Sequence, residues 1–531
     1  MATILVRSPA DGATLGEVHV ATPAEIAAKV AQASAAFRSW RAIPIRERVA
    51  FLRRLRSGLL KARGRIAELV AREQGKPLLD ACLAEIFPCV DHLTFLIHDG
   101  PRIIAPQRVR HRQPFLSARR SFYHFQPYGV WAVITPWNYP FCIPFLQAAT
   151  LLFGGNTVIL KPSPLTPLTA ELVLELFRAA GAPVGSIDIV HGGAGEGEAL
   201  VRAPEVRAVL FTGGPEGGRK VLAAAANGLK KVVLELGGKD AAIVLNDANL
   251  EHAARGIAWG AMLNAGQTCA SVERVYVERG VSDRFKKLLA EQVASFKVAN
   301  PLEPGAEVGP MTAEFQLEKV KAQVEDARAR GARIAVGGAP RTDLGPLYYS
   351  PTVIEDAPHD ALVMREETFG PVVAVETVED VEEALREVNA NELGLTASLW
   401  TRDRRLARSL APRIECGVVS VSSHLTSYGE PNSAWGGFRS SGLGRTHGEF
   451  GLRETLQVQY IDESFSEKPE MWWLPHTDQF RDLVERTFTL LAEPSPFVRA
   501  ATLLKMAPGL GYLARHAPLL RMLPGFWRYL R

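Results

Sequence analysis

Between Ser121 and Leu160 the chain carries no Asp, Glu, Lys or Arg. A stretch of that length without charge belongs inside protein or inside lipid, and its internal punctuation decides which. Pro136, Pro140 and Pro144, with Asn138 and Gly154-Gly155, interrupt it too often for a membrane helix, which needs about 20 consecutive apolar residues. What remains is a buried strand over 130–134, a loop over 135–140, a helix from 142 to about 152 and a second strand over 157–160.

The same alternation continues with a predicted helix over 170–179 and strands over 187–190, 206–211 and 232–234. Strands separated by helices predict a parallel sheet with crossover connections, hence an α/β fold. Such sheets bind ligands at the carboxyl ends of their strands. That rule selects three loops: Thr135-Pro136-Trp137-Asn138-Tyr139-Pro140, Lys161-Pro162-Ser163-Pro164 and Thr212-Gly213-Gly214-Pro215. A helix opening at Pro215 would present free N–H groups to phosphate, although the glycine spacing is not G-x-G-x-x-G and plain turn glycines compete with this reading. A second α/β region follows, with strands near 241–245 and 272–277 and helices near 283–296 and 314–330. Upstream, Ile26, Val30, Ala33 and Phe37 share one helical face and Leu52, Leu55 and Leu59 another. Residues 121–128 and 455–461 alternate like exposed strands and are expected to pair into an arm reaching another subunit.

The length of 531 residues predicts two or three domains. Lys plus Arg (61) nearly balance Asp plus Glu (57), which argues against a nucleic-acid partner. The five cysteines are scattered, with neither disulfide-framework nor metal-ligand spacing, so free thiols in a reducing compartment are expected. The N-terminus lacks the basic-then-apolar order of a signal peptide, and a cytoplasmic location follows as an expectation.

Chemistry concentrates on one thiol. Cys269 sits in Asn264-Ala265-Gly266-Gln267-Thr268-Cys269-Ala270-Ser271, after a predicted helix over 250–262. A nucleophilic thiol needs a base or an activated water, and Glu235, in Leu234-Glu235-Leu236-Gly237-Gly238-Lys239, is a candidate for either. The acidic pair in Glu366-Glu367-Thr368-Phe369-Gly370-Pro371 is either a solvated turn or a carboxylate aimed at ribose hydroxyls.

Six motifs, T-P-W-N-Y-P, K-P-S, F-T-G-G, L-E-L-G-G-K, G-Q-T-C and E-E-T-F-G-P, occur here in the order and at separations that resemble the aldehyde dehydrogenase superfamily, over roughly residues 1 to 462. The resemblance implies a Rossmann-type cofactor domain (1–112 and 129–236), an α/β catalytic domain (237–450) and a small β oligomerisation arm (113–128 and 451–462) in a homodimer or homotetramer. It implies that Cys269 adds to an aldehyde carbonyl, that the adduct passes hydride to nicotinamide, and that a thioester remains. Asn138 matches the family's oxyanion donor, together with the Cys269 N–H. Glu235 matches the base that activates water for thioester hydrolysis, so oxidation to the acid is favoured over coenzyme-A acylation or a catalytically silent, membrane-surface interaction protein. Trp137, Lys161, Gly213, Gly214, Glu367 and Phe369 match cofactor-binding positions, and no metal is implied. Two departures stand out: Pro164 occupies the place where NAD-preferring members often carry a glutamate, and Gly214 replaces a frequent serine. Without that glutamate a 2′-phosphate is not repelled, so NAD and NADP both stay open.

Beyond the family-like region, residues 463–531 form a basic, amphipathic extension. Phe480, Leu483, Val484, Phe488 and Leu491 are predicted to share a helical face. Residues 494–531 hold six basic side chains (Arg499, Lys505, Arg515, Arg521, Arg528, Arg531) and no acidic one. The extension is weakly similar to that of a subgroup with plant and fungal members. It is expected either to lie on an anionic membrane at its inner face, which would suit a lipophilic aldehyde, or to pack on protein at the mouth of the substrate tunnel.

Overall fold

The computed structural model describes residues 2–111, 116, 119–464, 470 and 472–506. Contacts divide the chain into two compact units, residues 1–103 with 127–457, and residues 104–126 with 458–531.

The larger unit is built on two large sheets, beside two small two-stranded ones. In the first, the strands run in the order Gly442–Leu443, Lys231–Glu235, Val206–Thr212, Val130–Ile134, Thr157–Lys161, Ile187–Ile189, all parallel except Gly442–Leu443. The chain therefore winds outward in both directions from Val130–Ile134, and the crevice beside that strand is where a doubly wound sheet accepts a ligand. Register brings the strand ends level, with Ile134 opposite Lys161 and Phe211, and Thr212 opposite Glu235. The uncharged stretch is accounted for here. Every residue of the strands Val130–Ile134 and Thr157–Lys161 and of the helix Cys142–Gly154 is buried, as both faces of a parallel sheet must be.

The second sheet has the order Arg333–Val336, Thr352–Glu355, Val372–Val378, Val272–Glu278, Asp240–Val244, Thr396–Trp400, Val418–Val421, parallel but for its first strand. Helix Leu250–Met262 packs on it through Ala253, Ile257 and Ala261. The N-terminal helices Pro23–Trp40 and Ile45–Gln74 bury Ile26, Val30 and Ala33, and Leu52, Leu55 and Leu59, as their periodicity predicts; Trp40 takes the buried place where Phe37 is half-exposed. The first opens on a capping box, Thr22 with Glu25, and the second stops at Gly75, whose φ of 91° favours glycine. One helical stretch, Leu78–His98, has the length and hydropathy to cross a membrane, but more than half of it is buried in the protein. All five cysteines are free.

In the smaller unit, Leu456–Ser464, Arg119–Pro127 and Gln107–Val109 form a three-stranded sheet in that order. Arg119 pairs with Asp462 at 2.6 Å and Glu470 at 2.8 Å, and Ser121 Oγ donates to Asp462 at 2.6 Å. The extension contributes two helices, Asp478–Ala492 and Pro496–Lys505, which close on Leu483, Leu490 and Met506. The predicted face is corrected accordingly. Leu490, not Phe488 or Leu491, shares the buried stripe with Leu483, because a helix met by a single neighbour buries only positions about seven apart. Phe488 and Leu491 are exposed, as are Trp473, Leu474, Phe497 and Leu504. The basic residues from Arg515 onward lie outside the described residues.

Candidate active site

Four strand ends of the first sheet and two loops of the second region meet at one cavity of about 820 Å³. Trp137 and Asn138 follow Val130–Ile134, Lys161 ends Thr157–Lys161, Gly213 and Gly214 lead from Val206–Thr212 into the helix Pro215–Ala226, and Glu235 ends Lys231–Glu235. Cys269 stands before Val272–Glu278, and Glu367 and Phe369 before Val372–Val378. All nine residues singled out in the sequence line this cavity.

The loop that carries Cys269 is held in an unusual backbone. Asn264, Ala265 and Gly266 have φ of 57°, 54° and 68°, a run of left-handed residues that turns the chain sharply. A Cβ at Gly266 would lie 1.9 Å from the Gly370 carbonyl oxygen, so only glycine fits. Gln267 fastens the turn: its Nε2 donates to the Asn264 carbonyl at 3.0 Å and its Oε1 accepts from the Thr312 N–H at 2.8 Å. Asn138 Nδ2 donates to the Gln267 carbonyl at 3.0 Å, which ties the amide to the cysteine loop and leaves its second N–H for another acceptor. Tyr139 Oη and Thr268 Oγ1 share a hydrogen bond of 2.8 Å.

Burial dominates the electrostatics. It pushes the Cys269 thiol well up, and the carboxylates of Asp240, Glu367 and Glu235 add to the rise, so the resting group is the neutral thiol. Burial also lifts Glu235 to about 8, against the Thr446 hydroxyl, the Arg445 charge and the Trp435 indole, which pull it down. Thr446 Oγ1 donates to Glu235 Oε1 at 3.3 Å. Glu367 rises to about 7, through burial and then Glu273, although its Oε1 accepts the Gly238 N–H at 3.1 Å. The solvated-turn reading of the acidic pair holds for Glu366, which is exposed, while Glu367 turns into the cavity.

The cofactor side of the cavity suits a dinucleotide. Burial lowers Lys161 to about 8, and its one hydrogen bond among the described residues is to the Pro162 carbonyl at 3.2 Å, so two N–H groups remain for ribose hydroxyls or a phosphate. Thr135 Oγ1 is buried without a partner among the described residues. A Cβ at Gly213 would meet the Phe211 ring at 2.7 Å, whereas Gly214 opens on free space before the helix N-terminus. Trp137 and Phe369 stack edge to face at 5.3 Å to make one wall. On the other side of Cys269 and Glu235 lies a small pocket lined by Ile143, Leu146, Leu236, Tyr428 and Trp435, with Gln147, Thr212, Thr446 and His447. Tyr428, Trp435 and His447 carry no local signal that places them at this pocket. Asn264 and Gln267 stood inside the quoted cysteine stretch, and Tyr139 inside T-P-W-N-Y-P, so adjacency was their available signal.

Residues 2–461 match the profile of the aldehyde dehydrogenase family. The chain is 38% identical to 4,4'-diapolycopene aldehyde oxidase of Methylomonas sp, covering 85% of this chain and 84% of the relative. It is 34% identical to succinate-semialdehyde dehydrogenase [NADP(+)] of Escherichia coli (strain K12), over 86% and 93% of the two chains. Among solved structures, the NAD+ complex of aldehyde dehydrogenase from Bacillus cereus superposes with a TM-score of 0.84 at 30% identity, over 88% of this chain and 94% of that one. The chain belongs to the aldehyde dehydrogenase family. It is an NAD(P)-dependent oxidoreductase that oxidises an aldehyde to the carboxylic acid, and neither the acylating nor the silent alternative is favoured.

Proposed function

We propose that Cys269, Asn138 and Glu235 carry this oxidation through a covalent thioester. The observation that supports it is their convergence, from separate strand ends and a strained loop, on a single cavity. Glu235, a carboxylate of the same cavity that burial raises to about 8, takes the proton of the buried Cys269 thiol and releases it to solvent before hydrolysis. The sulfur adds to the aldehyde carbon, and the free Asn138 N–H with the Cys269 backbone N–H stabilises the resulting alkoxide, each such donor being worth about 10²–10³ in rate. The bound nicotinamide supplies the hydride acceptor. Once the adduct is oxidised, Glu235 deprotonates water, the hydroxide attacks the thioester carbon, and the thiolate leaves as the acid is released. Lys161, Gly213, Gly214 and Glu367 would hold the adenosine ribose, pyrophosphate and nicotinamide ribose, beside the Trp137–Phe369 wall. Reduced cofactor should form with wild type and not with Cys269→Ala, and Glu235→Gln should slow the first turnover and not sustain further ones; continuous turnover by either variant refutes these roles.

The aldehyde is proposed to be lipophilic. Among the described residues lining the small pocket there is no Lys or Arg, and Ile143, Leu146, Leu236, Tyr428 and Trp435 offer apolar surface, so an ω-carboxylate would stand unpaired beside Glu235. The relative named 4,4'-diapolycopene aldehyde oxidase supports this apolar reading, whereas the one named for succinate semialdehyde does not. A long-chain aldehyde should show a kcat/KM at least about tenfold above an ω-carboxylated one of equal length, a difference of ~1.4 kcal/mol; the reverse order rejects the assignment. Exposed Phe488, Phe497 and Leu504, with Arg499 and Lys505, favour membrane-surface attachment of the extension on a cytoplasmic enzyme. Flotation of the full chain with anionic but not neutral vesicles supports that attachment, and flotation with neither removes it. Exposed Val458, Tyr460 and Ile461 on the strand Leu456–Ser464 favour a homodimer or homotetramer, measurable by sedimentation.

A further inference from the structure

Two charges lie beneath the oxyanion loop where the reaction does not touch them. Lys76 and Glu85 have no exposed side-chain surface and are paired through Lys76 Nζ and Glu85 Oε1. A buried ion pair is rarely more stabilising than apolar residues of the same volume, so its reason is sought in what else it holds. Lys76 Nζ also donates to the Asn138 carbonyl at 3.0 Å and lies 3.8 Å from the centre of the Tyr139 ring. Glu85 Oε2 accepts the backbone N–H groups of Phe141 at 3.2 Å and Cys142 at 2.7 Å, two donors at the start of the helix Cys142–Gly154. The pair thus grips both ends of the segment 138–142. Glu85 sits in a π-helical turn, Cys82–Ile86, a local widening of the helix that recurs at functional sites.

The grip continues into the cysteine loop. Asn264 Nδ2 donates to the Asn138 carbonyl at 3.0 Å and to the Gln267 carbonyl at 3.1 Å, and the latter also accepts Asn138 Nδ2. The backbone carbonyl of Asn138 is therefore held by Lys76 and Asn264, while its side-chain amide is held by the loop that carries Cys269. Releasing the carbonyl frees the peptide plane to rotate, and the amide turns with it.

Building on the oxyanion role assigned above to Asn138, we propose that the buried pair Lys76–Glu85 is a positioning device that aims the Asn138 amide at the alkoxide formed on Cys269. The test is a double-mutant cycle on the full-length enzyme, read by kcat, by KM for aldehyde and cofactor, and by thermal melting. Lys76→Met should lower kcat about 10- to 100-fold, a part of what one oxyanion donor supplies, with KM for the cofactor unchanged. In an Asn138→Ala background the same substitution should cost less than about threefold, because the donor it aims is already gone. Lys76→Arg, which keeps the charge and the carbonyl contact, should recover part of the lost kcat. Should Lys76→Met not fold, the paired replacement Lys76→Met/Glu85→Leu removes both charges together; it is expected to fold, to melt below wild type because the Phe141 and Cys142 N–H groups lose their acceptor, and still to lose kcat. Equal losses with and without Asn138, or full activity in the folded paired replacement, overturn the positioning role alone. An Asn138→Ala enzyme with unchanged kcat overturns the oxyanion assignment, and the positioning role with it.

Discussion

The steepest consequence of the site is a pH dependence that one hydroxyl should move. Glu235 must be ionised to deprotonate the hydrolytic water, and burial holds it near 8. At pH 7 roughly one tenth of the enzyme then carries the base, and kcat should climb about tenfold to a plateau above pH 9 wherever thioester hydrolysis limits turnover. Thr446 Oγ1, donating to Glu235 Oε1, is among the groups that keep this carboxyl from rising further. Thr446→Val keeps the shape and deletes the donor. A net hydrogen bond of about 0.5–1.5 kcal/mol, at ~1.4 kcal/mol per pKa unit, moves the limb alkaline by roughly 0.4 to 1 unit. The variant should lose about three- to tenfold in kcat at pH 7 and almost nothing on the plateau. Steady-state kcat across the range, beside the size of the first-turnover burst, separates hydrolysis from the earlier steps. A limb that stays in place in Thr446→Val, or that persists in Glu235→Gln, would refute the assignment of the base.

Other outcomes follow from the same geometry. Pro164→Glu places a carboxylate on the cofactor cavity, so the NADP-to-NAD ratio of kcat/KM should fall about tenfold or more, since like charges in contact cost several kcal/mol; an unchanged ratio in steady-state assays places the 2′ position elsewhere. Gly266→Ala drives a Cβ to 1.9 Å from the Gly370 carbonyl oxygen at a φ of +68°, and chemical denaturation should register a loss of about 2 kcal/mol or more, with activity falling as Phe369 and Cys269 are pushed apart. Stability should peak on the acid side of neutrality. Glu73, Glu235 and Glu367, raised to about 7, 8 and 7, hold protons in the folded chain that the unfolded chain releases, so their contribution is lost as pH rises from about 4.5 to 8. His424 and His447, lowered to about 4 by burial, stay neutral while the unfolded chain binds protons, so theirs is lost as pH falls from about 6.5 to 4. Melting temperatures of His447→Asn should fall less steeply than wild type on the acid side.

What the sequence disclosed, and what it withheld, follows from how each residue acts. Buried parallel strands read as continuous apolar runs, and their alternation with helices specified the first sheet from Val130 to Glu235 and the crevice at its strand ends. Cys269, Asn138 and Glu235 were singled out through motifs whose residue types and neighbours recur together, and they line one cavity. The extension was harder. Its apolar residues lie on several sides of the helix Asp478–Ala492, and only docking against Pro496–Lys505 selects Leu483 and Leu490 from among them. Lys76 and Glu85 were not legible at all: one is an ordinary charge just past the end of the helix Ile45–Gln74 and the other an ordinary charge in a helical stretch, 62 positions from Asn138 and 56 from Phe141 in the hydrogen bonds that matter. Their pattern is tertiary. A charge on a helix is normally solvated, and nothing local distinguishes one that will be buried from its neighbours until the segment 138–142 closes over it. That same burial makes the pair informative, since two charges kept dry beneath a reactive loop need partners, and the partners they have are the carbonyl of Asn138 and the N–H groups that begin the following helix.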